Sequence, residues 1–377
     1  MAEEKKAETK NQHYVPQFYQ RFFSSDPNHK TIGAYAIKQR KYIPMAPIKN
    51  QSSGDYIYSD NQKIEDALGK IEDLASEVIK KIISDPKAIL SKEDWYSVYA
   101  FTFIQIGRTL DRANFLQEST EASLKTLLKK YVEAKRNSDD AAEVELLTDE
   151  VMDAISVNLP KPAMLSLGNH AMLVNTCIDL NMKVLINQTR VPFITSDNPA
   201  CMYSMFLERV GDSTYALGSK GLMFYLPLTS NLALMFYDPK CYKLGDRKKS
   251  YVEITQKVDI ENLNKLSACY ANEMLYCLNG SIPACDLEKL ANMHDKFRPA
   301  NRVNSVSGIK HGNGEIVGTI TNSIFCKLAL QFVKELPTSK AITAKNYNPL
   351  YHRLRPIAYE RRSDSKTQKN RKFRVNS

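Results

Sequence analysis

Two spacings of apolar residues divide the chain into helical and strand-like parts. From residue 61 the apolar side chains return every three or four positions, which is the period of an amphipathic helix, and this pattern ends at Asp85-Pro86. Ser91 and Asp94 have the spacing of a capping box, and residues 92–117 are apolar on nearly all sides. We therefore expect residues 92–117 to form a central, buried helix. Further helices are predicted over residues 121–136, 141–157 and about 162–180.

Strand-like runs lie on both sides of this helical middle. Residues 31–37 and 56–58 are predicted as short strands, with a proline-containing loop between them. Residues 221–228 and 231–237 flank Thr229-Ser230, which is the pattern of a β-hairpin. Two more strands are predicted over residues 182–189 and 191–195. The pattern then returns to helices, at about residues 260–278, 286–294 and 321–335.

This order of elements favours an α+β fold over a regular alternation of strands and helices. Its parts are short N-terminal strands, a central helical bundle, a mixed or antiparallel sheet with a hairpin, and C-terminal helices. We expect residues 1–12 to form a disordered arm and residues 13–336 to form a single domain. Within that domain, residues 61–180 are predicted to be helical and residues 181–240 rich in strands. Everything after about residue 337, to residue 377, is predicted to be a basic flexible tail.

Charge is distributed unevenly along the 377 residues. Of the formal net charge of +10, the last 25 residues carry +7, from nine basic and two acidic side chains. The rest of the chain is nearly balanced, and 43% of all residues are hydrophobic, which excludes collagen-like and wholly disordered chains. The tail has two interpretations that the sequence leaves open. It binds nucleic-acid phosphates, or it is a solvated end.

Cysteines, histidines and apolar runs bear on the compartment of the protein. The seven cysteines form no Cys-x-x-Cys pair, and the six histidines show no zinc spacing. The first twelve residues lack the apolar run of a secretory signal. No apolar stretch reaches the roughly 18 residues of a membrane span. We therefore expect a cytoplasmic protein that does not enter a membrane.

Polar residues interrupt the predicted central helix at helical spacing. Thr102, Gln105, Arg108 and Arg112 lie three or four positions apart, so they would form one stripe. A buried guanidinium is costly without a negative partner, and Arg108 therefore predicts one. The candidate partners are Asp197, Glu65, Asp111 and a bound anion. The alternative is an ion pair that only holds the core together.

A second candidate lies where the apolar run Phe193-Ile194 ends in Ser196-Asp197-Asn198-Pro199. These polar groups could bind a metal ion through Asp197, orient a base, or contact phosphate and ribose. The alternative is an Asx-turn, in which the aspartate caps its own backbone. His13, next to an aromatic segment, is a candidate proton shuttle or a packed core residue. Glu65 is a further candidate, although a solvated glutamate is the simpler interpretation.

Several motifs together resemble one family, known as domain of unknown function 4238. The most specific is the opening run His13-Tyr14-Val15-Pro16-Gln17-Phe18-Tyr19. The resemblance covers roughly residues 13–278, and two departures lie beside its motifs: Gln20 replaces a usual leucine and Leu110 a common proline. The other matching elements, in order, are Ile64-Glu65, Gln105-x-x-Arg108-Thr109, Ser196-Asp197-Asn198-Pro199, Leu226-Pro227-Leu228, and a helix entered through Asn262 and Asn264.

The resemblance implies no established chemistry, but it implies a role in defence. Relatives are reported among anti-phage genes on mobile elements, which suggests a single-protein effector that halts infected cells. No nucleotide-binding loop, nucleophile elbow or His-Glu-x-x-His motif points to another activity.

We therefore hypothesise a nuclease that cleaves nucleic-acid phosphodiesters, with a divalent metal such as magnesium as a candidate cofactor. Its candidate catalytic residues are His13, Glu65, Gln105, Arg108 and Asp197, and its candidate binding residues are Ser196, Asn198 and Asn264. The alternative hypothesis is a non-catalytic sensor or scaffold that binds a phage or host protein.

Overall fold

The computed structural model describes residues 10–58, 62–138, 141–299, 302–311 and 314–355. The α-helices are α1 (Gln17–Arg21), α2 (Gln62–Ser84), α3 (Lys92–Gly107), α4 (Leu110–Arg136), α5 (Asp149–Ala154), α6 (Pro162–Leu173), α7 (Met205–Val210), α8 (Lys257–Tyr270), α9 (Ala284–Phe297), α10 (Pro337–Lys340) and α11 (Pro349–His352). Short 3₁₀ helices cover Ile48–Asn50, Ala141–Val144 and Val174–Cys177.

Short strands are spread over the same residues. They are β1 (Asn11–His13), β2 (Thr31–Ala36), β3 (Lys41–Pro47), β4 (Ser53–Asp55), β5 (Asn181–Asn187), β6 (Thr195–Ser196), β7 (Cys201–Tyr203), β8 (Met223–Pro227), β9 (Leu232–Tyr237), β10 (Tyr242–Leu244), β11 (Tyr251–Ile254), β12 (Met274–Cys277), β13 (Val303–His311), β14 (Gly314–Thr321) and β15 (Val333–Glu335).

Two sheets organise the domain. The larger has five strands in the order β11-β5-β9-β8-β7, in which only β11 and β5 run parallel. The smaller is antiparallel, in the order β3-β2-β12-β6. The pairs β1-β4, β10-β15 and β13-β14 form two-stranded sheets. The α+β class is confirmed, as are the N-terminal strands, the mixed sheet and the β8-β9 hairpin.

The five-stranded sheet has a hydrophobic core on each face. Because side chains alternate along a strand, Phe224 and Phe236 point to one face while Tyr225 and Met235 point to the other. On the first face the phenylalanine rings contact Tyr99 and Phe103 of α3, and on the second the side chains join the apolar face of α8. Helix α3 therefore lies on one face of the sheet and α8 on the opposite face.

Helix α3 is buried on nearly all sides, as its sequence predicts. It packs against α2 and α6 as well as the sheet. The capping box is present, with the Ser91 hydroxyl accepting from the Asp94 N–H and the Asp94 carboxylate accepting from the Ser91 N–H. Together with α4, these helices form the predicted central bundle.

The predicted helix over residues 92–117 is in fact two helices. Helix α3 ends at Gly107, and Thr109 adopts an extended conformation before α4 begins at Leu110. The Thr109 carbonyl accepts from the N–H groups of Arg112 and Ala113 and so starts the new helix. Leu110 occupies the first position of the new helix, which is the position that proline favours. Because Leu110 continues the apolar spacing, the periodicity of the sequence does not indicate the break between the two helices.

Several other expectations differ from the structure. Residues 56–58 form a turn rather than a strand, and only Thr195 of the strand expected over residues 191–195 lies in a strand, β6. The helix expected to reach residue 278 ends at Tyr270, and strand β12 follows it. Residues 321–335 were expected to be helical, but residues 322–332 have no regular secondary structure and lead into β15. The first residues after β14 cross over the second core, where Ile324 and Cys326 are buried. Of the predicted arm, Gln12 is buried in β1, and residues 1–9 lie outside the described part of the chain. Of the predicted tail, residues 337–355 pack onto the domain and residues 356–377 lie outside the description.

Candidate functional site

His13 occupies the end of β1, directly before the turn that leads into α1. Its Nδ1 lies 3.1 Å from the Gln51 carbonyl oxygen, and its Nε2 lies 2.8 Å from the Gln17 side-chain amide nitrogen. Arg21 donates to the Gln17 side-chain oxygen at 3.1 Å. Gln17 and Arg21 are the first and last residues of α1, so their side chains lie one helical turn apart on the same face. With His13, four residues before Gln17, they form one row of hydrogen-bonded side chains.

This row determines the tautomer of the imidazole. The Gln17 oxygen faces Arg21, so its amide N–H group faces Nε2 of His13 and donates to it. Nε2 must then be the unprotonated nitrogen, while Nδ1 carries the hydrogen and donates to Gln51. Burial lowers the pKa of His13, and the nearby cations Arg108 and Arg21 act in the same direction against the Gln51 hydrogen bond. The ring is therefore a neutral base at physiological pH.

Arg108 lies at the C-terminal end of α3 and is almost fully buried. Its guanidinium donates to Glu72 Oε1 at 2.7 Å and to the backbone oxygen of His13 at 2.6 Å. Burial opposes its charge, but Tyr58 and Glu72 outweigh this effect and raise its pKa. Arg108 thus has the negative partner that the sequence predicts, although Glu72 was not among the candidates. The ion pair also fixes the backbone that presents His13.

Glu65 lies in the first turn of α2, two helical turns before Glu72. Burial raises the pKa of its carboxyl group, while Arg108 lowers it and Glu72 raises it further. Among the described residues we find no hydrogen-bond partner of this carboxyl group. It is therefore a half-buried acid whose raised pKa favours the protonated form, the form in which a carboxyl group acts as a general acid.

These groups surround one open cavity of about 370 Å³. His13, Glu65 and Arg108 line it together, as expected from the sequence, and Arg21 lies at its rim. Glu72, Gln17 and Arg21 were missed by sequence reasoning. Two spacings could have found these residues. Glu72 follows Glu65 by seven residues on one face of α2, and Gln17 and Arg21 follow His13 at successive intervals of four.

Gln105 does not reach this cavity. Its amide nitrogen donates to the Tyr14 backbone oxygen at 2.7 Å, while its side-chain oxygen is buried and unpaired. The residue lies one helical turn before Arg108, and both hold the backbone of residues 13–14. Gln105 therefore holds the backbone next to His13 from outside the cavity.

Asp197 is not among the residues that line the His13 cavity. Its carboxylate accepts three backbone N–H groups, from Asn272 and Glu273 at 2.8 Å and from Met274 at 3.2 Å. Burial raises its pKa to about 6 despite these bonds. Because both oxygens are occupied and His13 bonds to Gln51 and Gln17, the expected orientation of His13 by Asp197 is wrong. The carboxylate clamps the turn after α8.

The same occupied oxygens do not fit the expected role of Asp197 as a magnesium ligand. Its neighbour Ser196 accepts from the Asn198 N–H at 3.1 Å, which closes a tight turn. Elsewhere, no group of three or more His, Cys, Asp or Glu side chains in the described ranges is arranged to hold a metal ion.

The other candidate binding residues also make internal bonds. Asn198 donates to Asp111 Oδ2 at 3.2 Å and to the Tyr270 backbone oxygen at 3.0 Å. Asn264 accepts from the Ile194 N–H at 3.0 Å and donates to the Pro192 oxygen at 2.8 Å. Both amides join helix α8 to the segment around β6, and neither lines the His13 cavity.

The comparison with protein families agrees with the motifs that surround His13. Residues 11–281 match the family described as Protein of unknown function (DUF4238). The chain belongs to this family. The match begins with β1, which carries His13, and ends just before α9. No curated protein and no solved structure gives a significant match. Within the described residues, no helix combines the length and apolar character of a membrane span.

Proposed function

We propose that the His13 cavity is an acid–base site that cleaves RNA phosphodiesters, and that this DUF4238 protein is an anti-phage effector. One observation carries the catalytic part: a neutral imidazole with an unprotonated Nε2 and a carboxyl group of raised pKa line the same cavity. The lowered pKa favours the unprotonated imidazole that a general base needs, and the raised pKa favours the protonated carboxyl group that a general acid needs. The defence part is supported only by the reported association of relatives with anti-phage genes.

The reaction uses the ribose 2′-hydroxyl as nucleophile. This hydroxyl displaces the Gln17 amide, and Nε2 of His13 removes its proton while the 2′-oxygen attacks the adjacent phosphorus. Glu65, in its protonated form, gives its proton to the departing 5′-oxygen. The products are a 2′,3′-cyclic phosphate and a free 5′-hydroxyl. Arg21 at the rim attracts the phosphate oxygens, whereas Arg108 holds His13 through the backbone.

The test is incubation of the full chain with single-stranded RNA and with DNA of the same sequence. We expect cleavage of RNA alone, with cyclic phosphate ends. His13→Gln and Glu65→Gln should each reduce the rate by about 100-fold or more, the usual contribution of a general acid or base. His29→Gln is the matched control, because His29 is exposed and lies outside the cavity. Activity should fall at low pH as His13 is protonated and at higher pH as Glu65 loses its proton.

Two results would overturn the catalytic proposal. One is intact RNA after incubation with the wild-type protein over the whole pH range. The other is equal cleavage by the wild type, His13→Gln and Glu65→Gln, since the activity would then come from elsewhere in the chain or from a contaminant.

A second function, a non-catalytic sensor or scaffold for a phage or host protein, is favoured by the internal hydrogen bonds of Arg108, Gln105 and Asp197. These side chains hold the domain together and leave few groups for chemistry. Under this hypothesis His13→Gln lowers the melting temperature, and any loss of phage protection parallels the loss of folded protein. Removal of residues 356–377 would test the predicted contact of the basic tail with nucleic acid.

A further inference from the structure

A cluster of arginines surrounds Asp111 in the first turn of α4. Arg302 Nη1 donates to both carboxylate oxygens, at 2.8 and 2.7 Å, and Arg298 donates to Oδ1. Asn198, from the Ser-Asp-Asn-Pro segment, donates to Oδ2. Asp111 is 4% exposed, so this cluster is an interior feature of the fold.

A third guanidinium, that of Arg112, lies beside this ion-pair network. Arg112 and Arg302 both face the Phe115 ring, at 5.7 and 5.3 Å from its centre. In the described part of the chain we find no hydrogen-bond or ion-pair partner of the Arg112 side chain. Burial lowers the pKa of Arg112, and the charge of Arg302 lowers it further. Three guanidiniums around one carboxylate leave an excess of two positive charges.

A small polar cavity opens onto this cluster. Its volume is about 130 Å³, which is the space of about four water molecules, and Arg298, Arg302 and Asn272 line it together with Asn114. The Nε atom of Arg302 is buried and lacks a hydrogen-bond partner. An anion in the cavity would reduce the repulsion among the three neighbouring guanidiniums.

We propose that this cavity binds a phosphate group, either as inorganic phosphate or as the end of a phosphomonoester. Guanidiniums present paired N–H donors that match a tetrahedral oxyanion. The volume admits the phosphate group but not a whole nucleotide, so the remainder of an ester extends into solvent. Asp111 and Glu118 line the cavity together with Arg298 and Arg302, so the charges of the lining balance, and the local excess of one positive charge comes from Arg112, which lies beside the lining. Glu118 therefore weakens the site without neutralising it.

This site is separate from the His13 cavity and does not depend on its proposed activity. The two cavities share no lining residue. The family resemblance includes the Ser-Asp-Asn-Pro segment, and Asn198 of that segment holds Asp111 in the arginine cluster.

The experiment is calorimetric titration of the full chain with inorganic phosphate and with a nucleoside 5′-monophosphate, at constant ionic strength in chloride. We expect saturable binding of both, with a rise in melting temperature. Arg112→Gln should weaken binding about tenfold, because one uncompensated charge is lost. Arg136→Gln is the matched control, since it changes an exposed arginine of the same helix. Glu118→Gln should strengthen binding.

The variants separate binding from folding. Arg302→Gln removes bonds to Asp111 and is expected to lose stability as well as binding, whereas Arg112→Gln breaks no hydrogen bond that the structure records. Tighter binding of the monophosphate would identify the ligand as an ester, and equal affinities would identify the phosphate group alone. The proposal is overturned if neither compound binds, or if Arg112→Gln binds both as tightly as Arg136→Gln does.

Discussion

At the scale of single residues, Gln20 is a polar side chain in an apolar place. It is fully buried in α1, and neither its side-chain oxygen nor its nitrogen has a hydrogen-bond partner. Burying an unsatisfied amide costs about 1–3 kcal/mol, so this chain carries a local penalty that leucine would avoid.

We predict that Gln20→Leu raises the free energy of unfolding by about 1–3 kcal/mol, because leucine removes the two unsatisfied groups at similar volume. Chemical denaturation of both proteins at neutral pH would measure the change. Gln62→Leu, in the first turn of α2, is the control and should change stability little. A less stable Gln20→Leu protein would mean that the amide has a partner in solution.

At the scale of elements, the sequence was most informative where independent physical signals agreed. The capping box at Ser91 and the all-round apolar pattern correctly placed α3, because capping and burial both favour the same helix there. The break at Thr109 was missed because Leu110 continues the apolar pattern, and the turn depends on the extended conformation of a single residue. Residues 321–335 were wrongly assigned to a helix, since an apolar segment that crosses a core can resemble a helix face.

The contact between α3 and α6 shows how a packed element acquires pH sensitivity. His170 of α6 lies against Gly107, where any larger side chain would overlap the imidazole. Its Nδ1 donates to the Ser166 backbone oxygen, 3.0 Å away. Burial lowers the pKa of His170 to about 4, assisted by the charge of Arg112. The folded protein therefore keeps this ring neutral in a range where the unfolded chain binds a proton.

We predict that this histidine destabilises the fold in acid. Because the unfolded state binds more protons, the free energy of unfolding falls as pH decreases from about 6.5 to about 4. The loss from His170 alone is up to about 3 kcal/mol. His170→Asn should reduce this slope, since its amide keeps a donor near Ser166 but does not titrate. Denaturation curves at several pH values would measure how the unfolding free energy depends on pH. If His170→Asn and the control His29→Asn showed the same dependence, the prediction would be wrong.

At the scale of the whole molecule, the site and the termini depended on contacts that no local pattern encodes. His13, Glu65 and Arg108 were grouped correctly, because a buried arginine needs a partner and the motifs suggested the others. Asp197 was wrongly placed with them, because a carboxylate at the end of a strand can accept the backbone N–H groups of a turn as readily as it can take part in an active site. The basic composition after residue 337 suggested a solvated tail, yet residues 337–355 return to the domain.

Arg355 is the anchor of this C-terminal segment and is only 1% exposed. Its Nε lies 2.8 Å from Asp179 Oδ2, and its Nη1 donates to the backbone oxygens of Leu217 and Ser219 at 2.8 and 3.0 Å. The guanidinium thus connects the end of the described chain to the segment before β5 and to the loop before β8. A charge in this position is stabilising only because every donor group has an acceptor.

We therefore predict that Arg355→Met costs about 3–5 kcal/mol in unfolding free energy, because it leaves the Asp179 carboxylate buried without its cation. Adding Asp179→Asn should recover part of this loss, since the double variant leaves no unpaired charge. Denaturation of the wild type, both single variants and the double variant gives the coupling energy of the pair. Limited proteolysis should cut the single Arg355→Met variant between residues 337 and 355 sooner than the wild type. If Arg355→Met were as stable and as resistant as the wild type, the C-terminal segment would not be docked in solution.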